Sequence, residues 1–515
     1  MLKANAVALL AALTSNVLFM SPAGMKLGEM PIFAWLKIIP TRTAILFLAL
    51  LCAKSVFAQY APASPERPWH APGEQQIKVD AKRFPDSGFS IDPTKAYSLA
   101  ELIDLAQTHN PETRVAWERA RAQAASFGVA RSELYPTLAA IALSQINRDE
   151  ILFGSQFIRQ TVQAFQILLE INYTVFDFGA RAGRIDAARA EILAANFAFN
   201  DTHRKIIYEV EQAYYRLLNA SGQEDAARAS LANAQTVQRA AEDRLQQCLA
   251  TLPDVLEAKS STAQAQFELQ AVVGAKEIAR GDLATALGAS PTTIIQVQPI
   301  NVLPTPDSIS ESVDQAINRA FAQRPDLMQQ VAEIRSADAR VKEARAAYYP
   351  SLNLSTNPIA QSLYGLQQQL PWTHTANLAG GLGVTLSWTL FDGGARKNNL
   401  AKAKANLRAA EAQVKDTRDQ IANEVWAAYT NLNTAFRQRQ AAIALVQAAS
   451  QSYVAALESY NFGVRSLLDV TAAQRILAQA YSADVLARTQ VLTALAELAS
   501  RTGDSIQPRA KKTRP

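Results

Sequence analysis

A chain of 515 residues with 49% hydrophobic and 19% charged residues is compatible with a folded protein and long enough for three or four ordinary domains. The net charge of +5 is small for this length, and Arg509, Lys511, Lys512 and Arg514 of a short terminal tail carry much of it, so nucleic acid is excluded as a partner. Two cysteines and the scattered histidines His70, His109, His203 and His374 offer no metal-ligand spacing, and no phosphate loop or nucleophile motif occurs. The sequence therefore predicts no enzyme, no cofactor and no metal centre.

Taken in order, residues 1–58 read as a signal peptide. Ala44 to Cys52 is its apolar run, Lys37 and Arg42 precede it, and Val56-Phe57-Ala58 ends in small residues suited to cleavage. Met25 or Met30 is an alternative start, and Leu51 is too large for lipoprotein processing at Cys52. No other segment is long and apolar enough for a membrane helix. Residues 59–97, with Pro62, Pro65, Pro68 and Pro72, read as an extended arm.

The first repeat spans 98–290. A short helix from Ser98 is broken at Asn110-Pro111, and a second runs to Leu134, where Tyr135-Pro136 stops it. Strands are expected at about 137–147 and 162–175, joined by a polar loop with Arg148, Asp149 and Gly154. The second alternates, with Phe165, Ile167, Leu169 and Ile171 on one face and Gln166, Glu170 and Asn172 on the other. A helix from Gly179 to Gln247 follows, then a turn at Cys248 to Pro253 and a return helix to Leu287. Residues 291–309 are a proline-rich linker.

The second repeat, 310–503, replays this order. Phe391 follows Phe176 by 215 residues, Tyr349-Pro350 follows Tyr135-Pro136 by 214, and Asp469-Val470 follows Asp254-Val255 by 215. Strands are expected at about 351–357 and 378–390, separated by a longer loop, the latter with Leu382, Val384, Leu386, Trp388 and Leu390 alternating. Asp392 is placed to N-cap a helix reaching Phe462, about 100 Å long. A turn at Gly463 to Ser466 and a return helix to Ala499 complete the repeat, and 504–515 is a disordered basic tail.

Strands of about ten residues with one apolar face suit a transmembrane β-sheet. Tyr135, Phe176, Tyr349, Trp388 and Phe391 cluster at the helix-proximal strand ends, where an interfacial girdle would lie. Four strands cannot close a barrel, and an open edge cannot face lipid. Copies of the chain must complete it: two give about eight strands with a filled interior, three give twelve with a lumen. Helices of this length likewise need neighbours along their whole extent.

These junctions, Tyr-Pro and Phe-Asp-x-Gly-x-Arg, occur twice, and the turn reads Tyr460-Asn-Phe-Gly463-Val-Arg465-Ser-Leu-Leu-Asp469-Val. In this combination the chain from Ser98 to Gly503 resembles the TolC family of outer membrane factors. The resemblance implies a mixed α/β membrane protein of the Gram-negative cell outer membrane. In it, a homotrimer closes a twelve-stranded β-barrel continued by a periplasmic α-helical barrel. It further implies a passive conduit carrying small molecules such as drugs from an inner-membrane pump of RND or ABC type through a periplasmic adaptor. Type I protein secretion is the alternative, and a soluble periplasmic coiled-coil adaptor a remote one. By resemblance, Asp254, Tyr460, Arg465 and Asp469 form a periplasmic gate, with Arg465 pairing to Asp254 across coiled coils. The adaptor would dock on the turns containing Cys248, Leu249, Thr251 and Pro253 and containing Gly463, Val464 and Ser466. Ala472 stands where some members carry an acid, which weakens any acidic ring.

Overall fold

A computed structural model describes residues 74–83, 91–298, 311–367 and 371–504. The expected signal peptide, the basic tail beyond Asp504 and most of the linker lie outside these residues. The chain divides at Pro85 into two units. In the first, the part read as extended arm includes a helix, α1 (Glu74–Ala81), steadied by a Lys78–Glu74 ion pair of 2.6 Å.

The second unit begins with β1 (Ala96–Tyr97), α2 (Leu99–His109) and α3 (Pro111–Ser132). Ser98 and Glu101 start α2 as a reciprocal cap: the Ser98 N–H donates to the Glu101 carboxylate at 2.9 Å and the Glu101 N–H to the Ser98 hydroxyl at 3.4 Å. Asn110 ends α2 and starts α3, accepting from Glu112 N–H at 2.8 Å and donating across the fold to the Ala286 carbonyl at 3.0 Å. Two strands follow, β2 (Thr137–Phe153) and β3 (Gln156–Phe176), then α4 (Ala180–Gln246) and α5 (Leu252–Ala286). β4 (Gln296–Val297) pairs parallel to β1, so both ends of the first half are tied.

The second half carries α6 (Val313–Gln323), α7 (Pro325–Ala346), β5 (Ser351–Thr356), β6 (Ile359–Gln367), β7 (Thr373–Ala379), β8 (Leu382–Ser387), α8 (Ala395–Asn461) and α9 (Leu467–Thr502). Helices α4 and α8 have 67 residues each, about 100 Å at the usual helical rise.

The strands depart from expectation. β2 and β3 have 17 and 21 residues, absorbing the expected loop at Arg148 and Asp149 and leaving Gly154 and Ser155 as the turn. Most of the loop expected between the strands of the second half is ladder, β6 and β7, and the strand expected to reach residue 390 ends at Ser387. β6 and β7 show weak alternation of their own. They are strands because β3 presents a continuous edge, pairing with β6 from Gln160 to Leu168 and with β5 from Ile171 to Phe176. The break is a kink. The Asn357 N–H donates to the Gly381 carbonyl at 3.1 Å, and the Gly381 N–H returns to the Asn357 side chain at 3.2 Å.

Counting β5/β6 and β7/β8 each as one kinked strand, the sheet runs β2, β3, β5/β6, β7/β8, antiparallel throughout. The helices attached to these strands keep the same order: α3 packs on α4, α4 on α7, and α7 on α8. Farther along, α4 packs on α5 and α9, and α9 on α8. The core lies in three clusters along this layer, around Tyr214 and Leu283, around Val425 and Leu432, and around Tyr453 and Val470 near the turns. Much of the buried surface is alanine, which lets helix backbones approach closely. By contrast α3 buries no residue, and the first third of α8 is open.

Candidate functional site

The sheet has two chemically different faces. Register places Leu138, Ile167, Leu169, Leu354, Val384 and Leu386 in one row set, whereas Glu170, Asn172, Gln166, Thr174, Asn353 and Thr385 fall on the other. The apolar row is largely exposed in the protomer. The polar row is internally bonded: Thr174 donates to Asn353 at 2.9 Å, Gln166 to Gln361 at 3.2 Å and Asn172 to Glu170 at 2.7 Å.

At the helix-proximal end, Tyr135, Phe176, Tyr349, Trp388 and Phe391 are all exposed. Phe178 joins them, edge-on to Phe176 at 4.7 Å and stacked on Tyr349 at 5.0 Å, and the Trp388 indole N–H donates to the Tyr348 carbonyl at 3.1 Å. A second aromatic cluster, not anticipated from the sequence, lies on the apolar face at the opposite end. Phe165 meets Tyr364 edge-on at 6.3 Å, and Tyr364 lies 4.4 Å from His374. Tyr364 and His374 stand in the segment read as loop, so their alternation carried no weight.

Strand turns into long helix through Asp177 and Asp392. Each carboxylate accepts from two backbone N–H groups and from an arginine: Gly179, Arg181 and the Arg181 side chain at 3.2, 2.8 and 3.1 Å, and Gly394, Arg396 and the Arg396 side chain at 3.0, 3.0 and 2.8 Å. The residue in the N-cap position is Gly394, not Asp392, because the helix starts at Ala395. Asp392 still satisfies the free N–H groups from two residues upstream.

At the far ends of α4 and α8 the two turns match. Cys248 N–H donates to Leu245 O at 2.9 Å and Leu249 N–H to Arg244 O at 2.8 Å; Gly463 N–H donates to Tyr460 O at 2.8 Å and Val464 N–H to Ser459 O at 2.9 Å. Cys248 adopts φ of 58° where Gly463 has 77°, so a side chain occupies a left-handed position in the first turn only. Pro253 sits in the first turn of α5. The Asp254 carboxylate accepts from the Thr251 N–H at 2.9 Å and hydroxyl at 2.7 Å, and Asp469 from Ser466 at 3.2 and 2.9 Å. These bonds hold both carboxyls below the usual carboxylate range. Leu249, Leu252, Val464 and Leu468 are exposed around the turns.

Within the protomer, Arg465 makes no ion pair with Asp254 among the described residues; its backbone N–H donates to Ser459 O at 3.3 Å. The arginine that joins the two turns is Arg244. It donates to the carbonyls of Tyr460 at 2.7 Å, Asn461 at 3.0 Å and Leu249 at 3.4 Å, and lies 4.8 Å over the Tyr460 ring. Its repeat counterpart is Ser459, so a search for doubled motifs passes over it. A basic residue in the last turn of a long helix is the signal that marks it. Tyr460 is buried, and its hydroxyl has no hydrogen-bond partner among the described residues.

A sheet with one exposed apolar face and aromatic clusters at both ends, continuous with a layer of very long helices, defines an outer membrane channel protomer. Residues 102–289 and 316–504 match the family described as outer membrane efflux protein. The chain is 27% identical over 407 residues to Protein CyaE of Bordetella pertussis, covering 78% of this chain and 83% of that protein. To outer membrane protein OprJ of Pseudomonas aeruginosa it is 24% identical over 440 residues, covering 84% and 89%. The structure of the outer-membrane channel OprN superimposes with a TM-score of 0.69 at 21% identity, covering 81% of this chain and 95% of that one. The chain belongs to the outer membrane efflux protein family; it is a protein of the outer membrane, and its work is export.

Proposed function

We propose that three copies of this chain form a passive conduit across the outer membrane and the adjoining periplasm. One observation carries the reading. Among the described residues the same two edges are open in both layers: β2 with α3 on one side, β8 with α8 on the other. The outer strands run antiparallel to each other, so head-to-tail closure by rotation continues an antiparallel sheet and a continuous helical wall at once. Three copies supply twelve strands and leave a lumen, lined by the polar face. This closure covers α3 and the upper part of α8, which are bare in the protomer.

The gate is assigned to the distal turns. Arg465 makes no ion pair with Asp254 among the described residues of one protomer, so the pairing of Arg465 to Asp254 is proposed between copies. The exposed apolar side chains Leu249 and Val464, on turns with Cys248, Thr251, Pro253, Gly463 and Ser466, offer a periplasmic adaptor a docking surface, with an inner-membrane pump of RND or ABC type behind it. The cargo is proposed to be small molecules, drugs and toxic compounds among them. Unfolded protein is the alternative.

Conductance in planar bilayers tests the conduit. Small currents that grow several-fold in Arg465→Ala support trimer and gate together; absence of current from a protein that stays soluble without detergent overturns both. Deletion in the source bacterium separates the cargoes: drug sensitisation supports efflux, and loss of a secreted polypeptide without sensitisation supports protein export.

A further inference from the structure

Beyond the second aromatic cluster, among the described residues, the sheet narrows to the β2–β3 hairpin. β6 leaves β3 at the Gln367–Gln160 pair, whereas β2 and β3 stay paired to Phe153 and Gln156. Toward the tip of the β2–β3 hairpin the row that carries Ile167 and Leu169 lower down presents Arg148 opposite Thr161, the latter still paired to Leu366 of β6, then Glu150 opposite Arg159, then Leu152 opposite Phe157. Arg148 and Arg159 are therefore diagonal neighbours on the lipid side, on the order of 7 Å apart. Both are exposed. Glu150 reaches Arg159 through one contact of 3.4 Å, Asp149 stands in the opposite row beside Gln160, and no carboxylate pairs with Arg148 among the described residues. Leu152 and Phe157, exposed beyond the charges, continue the apolar row.

We propose that Arg148 and Arg159 clamp a phosphate-bearing headgroup of an outer-leaflet lipid. The row passes from apolar residues through the Phe165–Tyr364–His374 cluster to these arginines, the order in which a bilayer passes from hydrocarbon through interface to headgroup. A guanidinium presents planar paired donors that match a phosphate, and diagonal spacing lets two of them share one anion. Glu150 occupies only part of the Arg159 donor set and leaves the pair net positive. The proposal rests on the outer membrane placement and on the apolar face being the lipid side.

The test uses full-length protein, delipidated in detergent, with added bisphosphorylated lipid A or the same lipid lacking both phosphates, and bound lipid counted by native mass spectrometry. Wild type is expected to bind the phosphorylated lipid about tenfold more strongly than the Arg148→Gln/Arg159→Gln double variant. Wild type should bind the phosphate-free lipid no better than the variant does. Equal binding by wild type and variant, or binding indifferent to the phosphates, overturns the clamp. Conductance of the same samples separates this from the channel reading: currents without a phosphate preference sink only the clamp, whereas a wild type without current sinks the conduit.

Discussion

The guanidinium of Arg244, in the last turn of the first long helix, donates to the Tyr460 carbonyl at 2.7 Å and covers the Tyr460 ring, joining the far ends of the two long helices within one protomer. A cation placed on the last carbonyls of a helix answers its terminal dipole. The fork reaches two such carbonyls while holding Leu249 of its own turn. Arg244→Ala is expected to destabilise the tip by about 2 kcal/mol, the scale of charge-assisted hydrogen bonds, and to raise single-channel conductance. Arg244→Lys should recover part of the stability, because an ammonium lacks the planar fork. Unchanged conductance and melting in both variants would remove Arg244 from the closed tip.

The two turns differ in backbone strain. Gly463 has φ of 77°, and a methyl added there meets only the Arg244 side chain at 3.6 Å, an ordinary contact. The cost of Gly463→Ala is therefore in the backbone, about 1 kcal/mol. The reverse change in the first turn, Cys248→Gly, relaxes a side chain at φ of 58° and is expected to be neutral or stabilising by up to about 1 kcal/mol. Thermal melting of the two variants checks the opposite signs.

Gly183 of α4 packs directly against the backbone of α7. A Cβ there would lie 2.8 Å from the Glu343 backbone nitrogen and 3.0 Å from the Ala339 carbonyl oxygen, neither of which can swing away. Gly183→Ala should cost about 1–3 kcal/mol as an overpacked contact, despite alanine's better helix propensity. A melting temperature at or above wild type would show that the helices separate without penalty.

Glu211 on α4 has its carboxyl pushed up to about 7 by burial. Its proton is held more tightly in the folded chain than in the unfolded one. This contribution to stability is complete below the ordinary value of 4.5 and is lost as pH rises to about 7. Glu211→Gln should flatten that part of the stability profile and raise stability at pH 8 by at most about 3 kcal/mol. Denaturant melts of wild type and variant at pH 5 and 8 give the comparison, and an identical slope in both would refute it.

Much of this was legible in local sequence because helix signals are local. Ser98, Asn110-Pro111 and the Asp-x-Gly-x-Arg junctions put element boundaries within a few residues of their places, and the offset of 215 carried the second half from the first. Strand ends were harder. β6 and β7 lack a clean alternation; β6 exists through the edge that β3 offers and β7 through β6, and the residues Arg148 to Phe153 read as loop because their charges hide a register set by the partner strand. The role of Arg244 is not legible in the sequence for a related reason: its partners are carbonyls of Tyr460 and Asn461, more than two hundred residues away.

By itself the sequence determined the two long helices, the doubled order of elements, the apolar row of the strands and the caps at Thr251 and Ser466, since each depends on groups within a few positions along the chain. Only the tertiary structure decided that the strand and helix layers share one order, that the same two edges stay open, and that Arg244 rather than Arg465 ties the tip of a single protomer. Those facts depend on which distant backbone groups meet, and the pattern of side chains along a strand or helix leaves that choice of neighbour open.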